Sequence, residues 1–589
     1  MKKHIFSIVS ILMLFSLGGG LSSCSDSYLE GVNTDDSKAE SIDPNAQLTT
    51  GLLQTYGDFS LMDTYRSYIT GFTQYYAGGW NVSNYAGAVY PKDSEMAYVW
   101  NRYYQIAIKN LVDAIYHTED KPNVNAALRI HRAYLMAVLS DIYGDIPCTE
   151  AGMSYINDNA TPKYDTQEEV YDFIFSELKA CAGQLGTGTD VISGDVTSLG
   201  GSTDAWKRYA NTLRLRYAMR ISDVAPEKAR AEFEAALNAD GGIISSADED
   251  AYIIYNDAPF TLYDGAADLD FRANALSEMI YGQDPTSPSF VCSTLFYYMK
   301  KMNDPRLYRI CRCYIHTTRS QTDTSGNYDV TDEVIAWGER GGNNGIPIVP
   351  CNVGDAWWSE WVAPPATSDI PTLAELVALY PEKGYDQNNY PARMIRPTIA
   401  VAFCNADCPG ILMTSAEVEF LLAEAASKGW NVPGDVESHY EAGIRASMQL
   451  LNNHYDIVST ISDEEIEEYI QNNPVGDNPR ESINTQAWIL HLTNPSEGWA
   501  NLRRSDYPAI ADRTLLPVRG DFPHEDPNMQ TPVRLRYPLL EGQYNSANYN
   551  EAVERLGGTD DWHTRLWWDV NEQNFMDIKA FIESVDNNQ

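Results

Sequence analysis

The 589-residue sequence contains no His-x-x-x-His pair, no Cys-x-x-Cys repeat and no Gly-x-Ser-x-Gly elbow. The first two absences leave zinc-hydrolase and structural zinc sites without support. The third removes the nucleophile turn of an α/β-hydrolase. A phosphate-cradling loop is missing as well, so nucleotide chemistry has no motif to stand on. Positive charge is scarce: 42 Lys and Arg stand against 82 Asp and Glu, a formal net charge of −40. A nucleic-acid binder needs a basic footprint, and none is visible. Beyond the first residues, no apolar run reaches the roughly 20 residues of a membrane-spanning helix. The body is therefore read as sitting in water. Cys311-x-Cys313 and Cys404-x-x-x-Cys408 are the close cysteine pairs among nine cysteines. In an exported chain Cys404 and Cys408 can oxidise if their geometry allows; buried free thiols are the alternative.

The N-terminus carries the sharpest local signal. Lys2 and Lys3 precede an apolar run from Ile5 to Leu17, too short to span a bilayer and suited to a secretory segment. Leu21-Ser22-Ser23-Cys24 follows and resembles the bacterial lipobox, in which Cys24 takes a diacylglycerol and the chain is cut before it. Residues 1–23 are thus read as a lipoprotein signal peptide. Residues 24–43, polar and beginning Ser25-Asp26-Ser27, are read as a lipid-anchored tether. The body spans 44–589.

Along that body the hydrophobic spacing predicts helices in pairs. Asp93 or Ser94 opens one to about Thr118, Pro122-Asn123 breaks the chain, and Val124 to Tyr143 forms the next, closed by Gly144 as a left-handed cap. Further helices are expected over Thr166–Ala182, from Ser202 or Thr203 to Ile221, over Glu227–Ala239, after a Thr414–Glu417 capping box, and over Asp435–Leu451. Recurring pairs suggest tetratricopeptide-like stacking without the full consensus. The fold class expected is mostly α: a helical scaffold over 44–240 and 411–500, a loop-rich region over about 242–411 with short strands such as Ala251–Tyr255, and a C-terminal segment over 497–589.

Several segments then carry a family likeness. They are Ser140-Asp141-Ile142-Tyr143-Gly144-Asp145-Ile146-Pro147, Thr414 to Trp430, Tyr440 to Met448, Glu497 to Arg504, Arg536-Tyr537-Pro538, Tyr544 to Asn550, and Leu566-Trp567-Trp568-Asp569. In this order they resemble the SusD/RagB family of outer-membrane nutrient-binding lipoproteins, in particular its second SusD-like branch. The resemblance implies four tetratricopeptide-like helix pairs and a loop-rich half opposite. It also implies a partner, a SusC-like TonB-dependent barrel, with an oligosaccharide, or in some relatives a peptide, held between them. The segments themselves read as scaffold, with Arg503, Arg504 and Arg536 suited to buried carboxylate pairs.

A sugar site needs aromatic plates and short polar groups. Two aromatic clusters outside strong helical pattern supply candidates. The first gives Tyr76, Trp80, Asn81 and Tyr85; the second gives Trp337, Arg340, Trp357, Trp358 and Trp361. Core packing is the alternative for both. Asp323, Asp329, Asp332 and Glu333 offer oxygen ligands for structural calcium, but they lack the EF-hand spacing and read better as a solvated acidic loop. No cofactor is otherwise expected. A glycoside hydrolase would need two facing carboxylates, and an abundance of acids does not mark such a pair. The reading is of a non-enzymatic, lipid-anchored, surface-exposed glycan binder of the outer membrane, with a peptide binder and a surface hydrolase as alternatives. Because each buried CH₂ of a lipid contributes about 0.8 kcal/mol, loss of the acyl chains releases a soluble body. Cys24→Ala is expected to move the protein from the membrane pellet to the soluble fraction on cell fractionation.

Overall fold

Short polar residues set where the helices begin. Thr166, Ser202 and Asp435 stand in extended backbone and accept hydrogen bonds from the main-chain N–H groups of Glu169, Ala205 and Ser438. Each satisfies a donor that a first helical turn leaves open. The computed structural model describes residues 42–78, 80–256, 272–280, 290–316, 327–332, 334–335, 348, 350–353, 396–516 and 529–587. The longer helices are α1 Pro44–Gly57, α2 59–72, α3 93–116, α4 Pro122–Tyr143, α5 Gln167–Gln184, α6 Thr203–Arg220, α7 Pro226–Leu237 and α8 Ser293–Lys301. They continue with α9 Ser415–Ser427, α10 Val436–His454, α11 Asp463–Asn472, α12 Pro479–Leu490, α13 Pro495–Ser505, α14 Ser546–Arg555 and α15 Ile578–Asp586. Within α2 and α3 lie π-helical stretches, Tyr65–Ile69 and Tyr103–Ile108.

Three local expectations are corrected. Pro122 does not break the chain; it is the first residue of α4, where a missing N–H costs nothing. Gly144 closes α4 at φ +97° and ψ −122°, outside the left-handed helical region but still open only to glycine. Thr414 caps α9, yet the reciprocal half of the capping box is not made, because the Glu417 carboxylate turns to Arg216 at 2.6 and 2.7 Å.

The architecture is mostly α, as expected. Helix α3 packs on α4, α4 on α5, α5 on α6, α6 on α7 and α9, and α9 on α10 and α12. The strands are short. β1 Tyr76–Ala77, β3 Phe290–Val291, β7 Thr398–Ile399 and β4 Cys311–Arg312 form one sheet in the order β1-β3-β7-β4. β2 Ala251–Ile253 pairs antiparallel with β8 Gly410–Met413, so part of the 251–255 expectation is met. β5 Tyr314–His316 pairs with β6 Asn327–Asp329, and β9 Ile510–Ala511 runs parallel to β10 Phe575–Met576. Cys404 and Cys408 are buried thiols, each facing a main-chain carbonyl.

Tyrosines fill much of the core. Tyr56, Tyr65, Tyr103 and Tyr134 are buried together, and the Tyr56 hydroxyl donates to the Ile411 carbonyl at 2.8 Å. Such rings bury large apolar area, and the Tyr103 hydroxyl likewise donates to the Thr55 carbonyl at 3.1 Å.

Ion pairs cross between helices inside this core. The Arg504 guanidinium makes a two-pronged contact with the Glu424 carboxylate at 2.7 Å on each arm, joining α13 to α9. Arg216 and Arg220 of α6 reach Glu417 of α9 and Glu497 of α13 respectively. Arg503 departs from expectation: its three donor nitrogens bond the carbonyls of Trp499, Val533 and Asp141, and its guanidinium lies 3.7 Å above the Trp499 ring. Burial alone would raise the Glu424 carboxyl, but Arg504 outweighs it and holds the group at about 2.

The C-terminal segment is stapled to the end of α4. Arg534 Nε donates to the Tyr143 carbonyl at 3.0 Å, Tyr537 to the Asp145 carbonyl at 2.9 Å, and Trp568 Nε1 to the Asp141 carboxylate at 2.9 Å. The family-like motifs therefore meet one another as scaffold.

Breaking a buried pair leaves a charge uncompensated and costs roughly 3–5 kcal/mol. Arg504→Ala is expected to lower the unfolding free energy measured by urea titration by an amount in that range, and the double change Glu424→Leu with Arg504→Met to recover most of it.

Candidate ligand-binding face

The 75–90 segment grows out of the C-terminal end of α2. β1 pairs antiparallel with β3, Tyr76 opposite Val291 and Ala77 opposite Phe290. This short strand parts two cores: Tyr76 belongs to the main one, and Ala77 to a smaller one with Phe290, Cys292, Cys351 and Val353. Tyr75 is also internal, its hydroxyl donating to the Trp488 carbonyl at 2.5 Å and its ring 5.1 Å from that of Trp488.

Tyr76 is therefore corrected as a candidate ligand contact. It is only 1% exposed, beside Leu276, Phe403 and Tyr455, and burial pushes its hydroxyl well above the usual tyrosine range. Pairing with β3 turned what reads as loop into packed strand. Trp80 and Asn81 open a short helical turn, Trp80–Asn84, and their side chains lie outside the described residues. Tyr85 is half-buried. Lys92 Nζ donates to its hydroxyl at 3.2 Å, and its ring lies 5.8 Å from that of Tyr68, which backs it. Lys92 is anchored in turn by Glu95 at 2.9 Å.

Trp337, Arg340, Trp357, Trp358 and Trp361 all lie outside the described residues. The chain leading to the last three is described, however. Cys351 bridges to Cys292 in parallel register, and Val353 packs in the small core with Ala77. Ala77 and Val353 thus share one small core, although more than 270 positions separate them in the sequence. Hydrophobicity could not show this pairing; a two-residue strand leaves almost no periodic trace.

Metal chemistry finds weaker footing. Of the calcium candidates, Asp323 and Glu333 lie outside the described residues. Asp329 accepts from Arg312 at 2.6 Å and from the Thr331 hydroxyl at 2.7 Å. Among the described residues, Glu417, His491 and Glu497 place potential ligand atoms within 4.8 Å of one another. Arg216 and Arg220 already hold these two carboxylates and supply the positive charge a cation would bring.

Residues 38–337 and 377–538 match the second SusD-like family, described as starch-binding and associating with the outer membrane. The chain belongs to the SusD-like family. A solved structure named as a Bacteroidetes AC2a SusD-like protein is 41% identical, with a TM-score of 0.80, covering 90% of this chain and 100% of its own. A chitin-binding protein is 29% identical with a TM-score of 0.67, again covering 90% and 100%. A chitin-binding SusD homolog from Flavobacterium johnsoniae shares the fold at 21% identity and a TM-score of 0.62, covering 90% and 100%. No curated protein matches the chain.

Two carboxylates near the end of α13 set a pH dependence within this SusD-like body. Burial, with Asp569 nearby, pushes Asp506 up to about 7, and burial pushes Asp569 up to about 6. Folded pKa values above the unfolded one of about 4 mean that the folded state binds protons more tightly. The stability these groups contribute is full below about pH 4 and is lost as pH rises through 6 to 7. Thermal midpoints of Asp506→Asn and Asp569→Asn are expected to gain on the wild type as pH is raised from 5 to 8, and to converge with it towards pH 4.

Proposed function

We propose that this protein is a non-catalytic, lipid-anchored glycan binder that captures oligosaccharides at the cell surface and passes them to a SusC-like TonB-dependent transporter. The observation that carries the reading is the small core shared by Ala77 and Val353, each a few residues from an aromatic-rich stretch of the sequence, on the body of a family described as starch-binding and associated with the outer membrane. Tyr85, backed by Tyr68, offers a ring edge and a hydroxyl at that face, and Trp80 lies at its start. Aromatic faces stack on the CH side of sugar rings, and short polar groups take up the hydroxyls. The relative named for chitin binding, at 29% identity, makes oligosaccharides of N-acetylglucosamine the first ligands to test. Among the described residues no helix is long and apolar enough to cross a membrane, which suits attachment through a lipid at Cys24.

Binding by such a face involves no bond cleavage. Import energy then comes from the transporter, and the lipoprotein contributes capture and retention. The tether of residues 24–43 gives the body reach to close over a barrel mouth.

Titration with chito-oligosaccharides and malto-oligosaccharides is expected to show saturable binding without new reducing ends. Trp80→Ala combined with Tyr85→Ala is expected to weaken that binding about tenfold or more, since each stacked ring contributes roughly 0.5–1.5 kcal/mol beyond its buried area. Native purification through a C-terminal tag is expected to retain a TonB-dependent barrel. Released reducing ends would move the protein to the hydrolases, and peptide binding without glycan binding would move it to the peptide-binding relatives.

A further inference from the structure

A cavity of about 350 Å³ opens at the C-terminal side of α13. Its walls include Phe72 on α2, Trp499 and Arg503 on α13, Ile510 and Phe575 on the β9–β10 pair, Thr531, and Asp569 with its following loop. Neither Tyr76 nor Tyr85 lines it. The volume lies at the lower end of the range of small-molecule sites, about 300–1,000 Å³, with space for about one or two sugar rings.

The polar groups in it are placed deliberately by the fold. Asp569 is 5% exposed, and among the described residues its carboxylate accepts no hydrogen bond. The Thr531 hydroxyl is likewise buried with no partner among the described residues. A buried hydroxyl without a partner, as at Thr531, is uncommon in native structures and calls for one. Asp569 is an acceptor when ionised, so the partner it lacks is a donor. At the floor, Arg503 has spent its donor nitrogens on three carbonyls and lies flat on Trp499. It contributes charge, and one N–H on each terminal nitrogen is left over from these bonds. Phe575 stands at the rim, 46% exposed, as a free aromatic plate.

Charge narrows the ligand class. An anion would meet Asp512, Asp569 and Glu572, and a cation would meet Arg503 and Arg565. Neither sign is favoured along the wall. A neutral molecule with an apolar face and several hydroxyl donors fits both the balance and the unmet acceptor.

We infer that this cavity is a second carbohydrate subsite, in which Asp569 accepts sugar hydroxyls, Thr531 completes the polar side and Phe575 covers a ring face. The inference rests on the glycan-binding reading given above. It gives the protein two separate holds on glycan, one at the aromatic face and one at the C-terminal side.

The test is calorimetric titration of the mature chain, residues 24–589, with N,N′-diacetylchitobiose and with maltose. Wild type is expected to bind two molecules of one of these disaccharides. Asp569→Asn keeps the shape and removes the charge, and Phe575→Ala alters an exposed side chain, so both are expected to fold. Each is expected to weaken one of the two binding events about tenfold or more, the scale of losing a hydrogen bond to a charged group, and to leave the other unchanged. Tyr85→Ala is expected to do the reverse. A single binding event that neither Asp569→Asn nor Phe575→Ala alters would overturn the second subsite while leaving the glycan reading standing. Absence of binding to every glycan tested would overturn both.

Discussion

The buried contacts between arginines and carboxylates determine how this scaffold is set. Arg216 and Arg220 on α6, Arg504 on α13 and their partners Glu417, Glu424 and Glu497 fix three helices against one another in the interior. Apolar packing tolerates small slides of one helix over the next, whereas a two-pronged guanidinium contact does not. The desolvation cost of such pairs is large, so their net gift to stability is modest. Their consequence here is alignment. Helix α9 is held to α6 and α13 at a single register, and everything mounted on these helices inherits that register.

The face proposed for ligand follows from this. α2 packs against α13, with Phe72 5.7 Å from Trp499, and β1 leaves the end of α2. The strand is only two residues long, yet it separates the main core from the small one and brings Ala77 to Val353. A glycan binder working without catalysis gains most from rigidity, because ordering loops on binding spends affinity. The C-terminal segment adds a second restraint by bonding the end of α4 through Arg534, Tyr537 and Trp568.

Much of the helical scaffold was legible because its signals are local. Thr166, Ser202 and Asp435 cap helices where their spacing before apolar runs places them. Where the reading failed, a distant partner had won. Glu417 leaves its capping box for Arg216, a residue about 200 positions earlier, and Arg503 takes three carbonyls where a carboxylate was expected. Pro122 reads equally as a stop or a start, and only the turn before it decides. Tyr76 was misplaced for a related reason: its strand partner Val291 lies far along the chain. The richness in tyrosine also pointed outward more than it should, since many of these rings fill the interior. Nothing in the sequence marked the cavity beside Asp569, whose walls come from five separated stretches.

The central claim is that a rigid helical body holds an intact sugar at an aromatic face without cutting it. A crystal structure of the mature chain soaked with chitotetraose tests this most directly. The expected result is uncleaved oligosaccharide stacked against the Trp80–Tyr85 segment, with the α6, α9 and α13 register unchanged. Cleaved products between two carboxylates, or sugar absent from that face while the protein binds it in solution, would contradict the account.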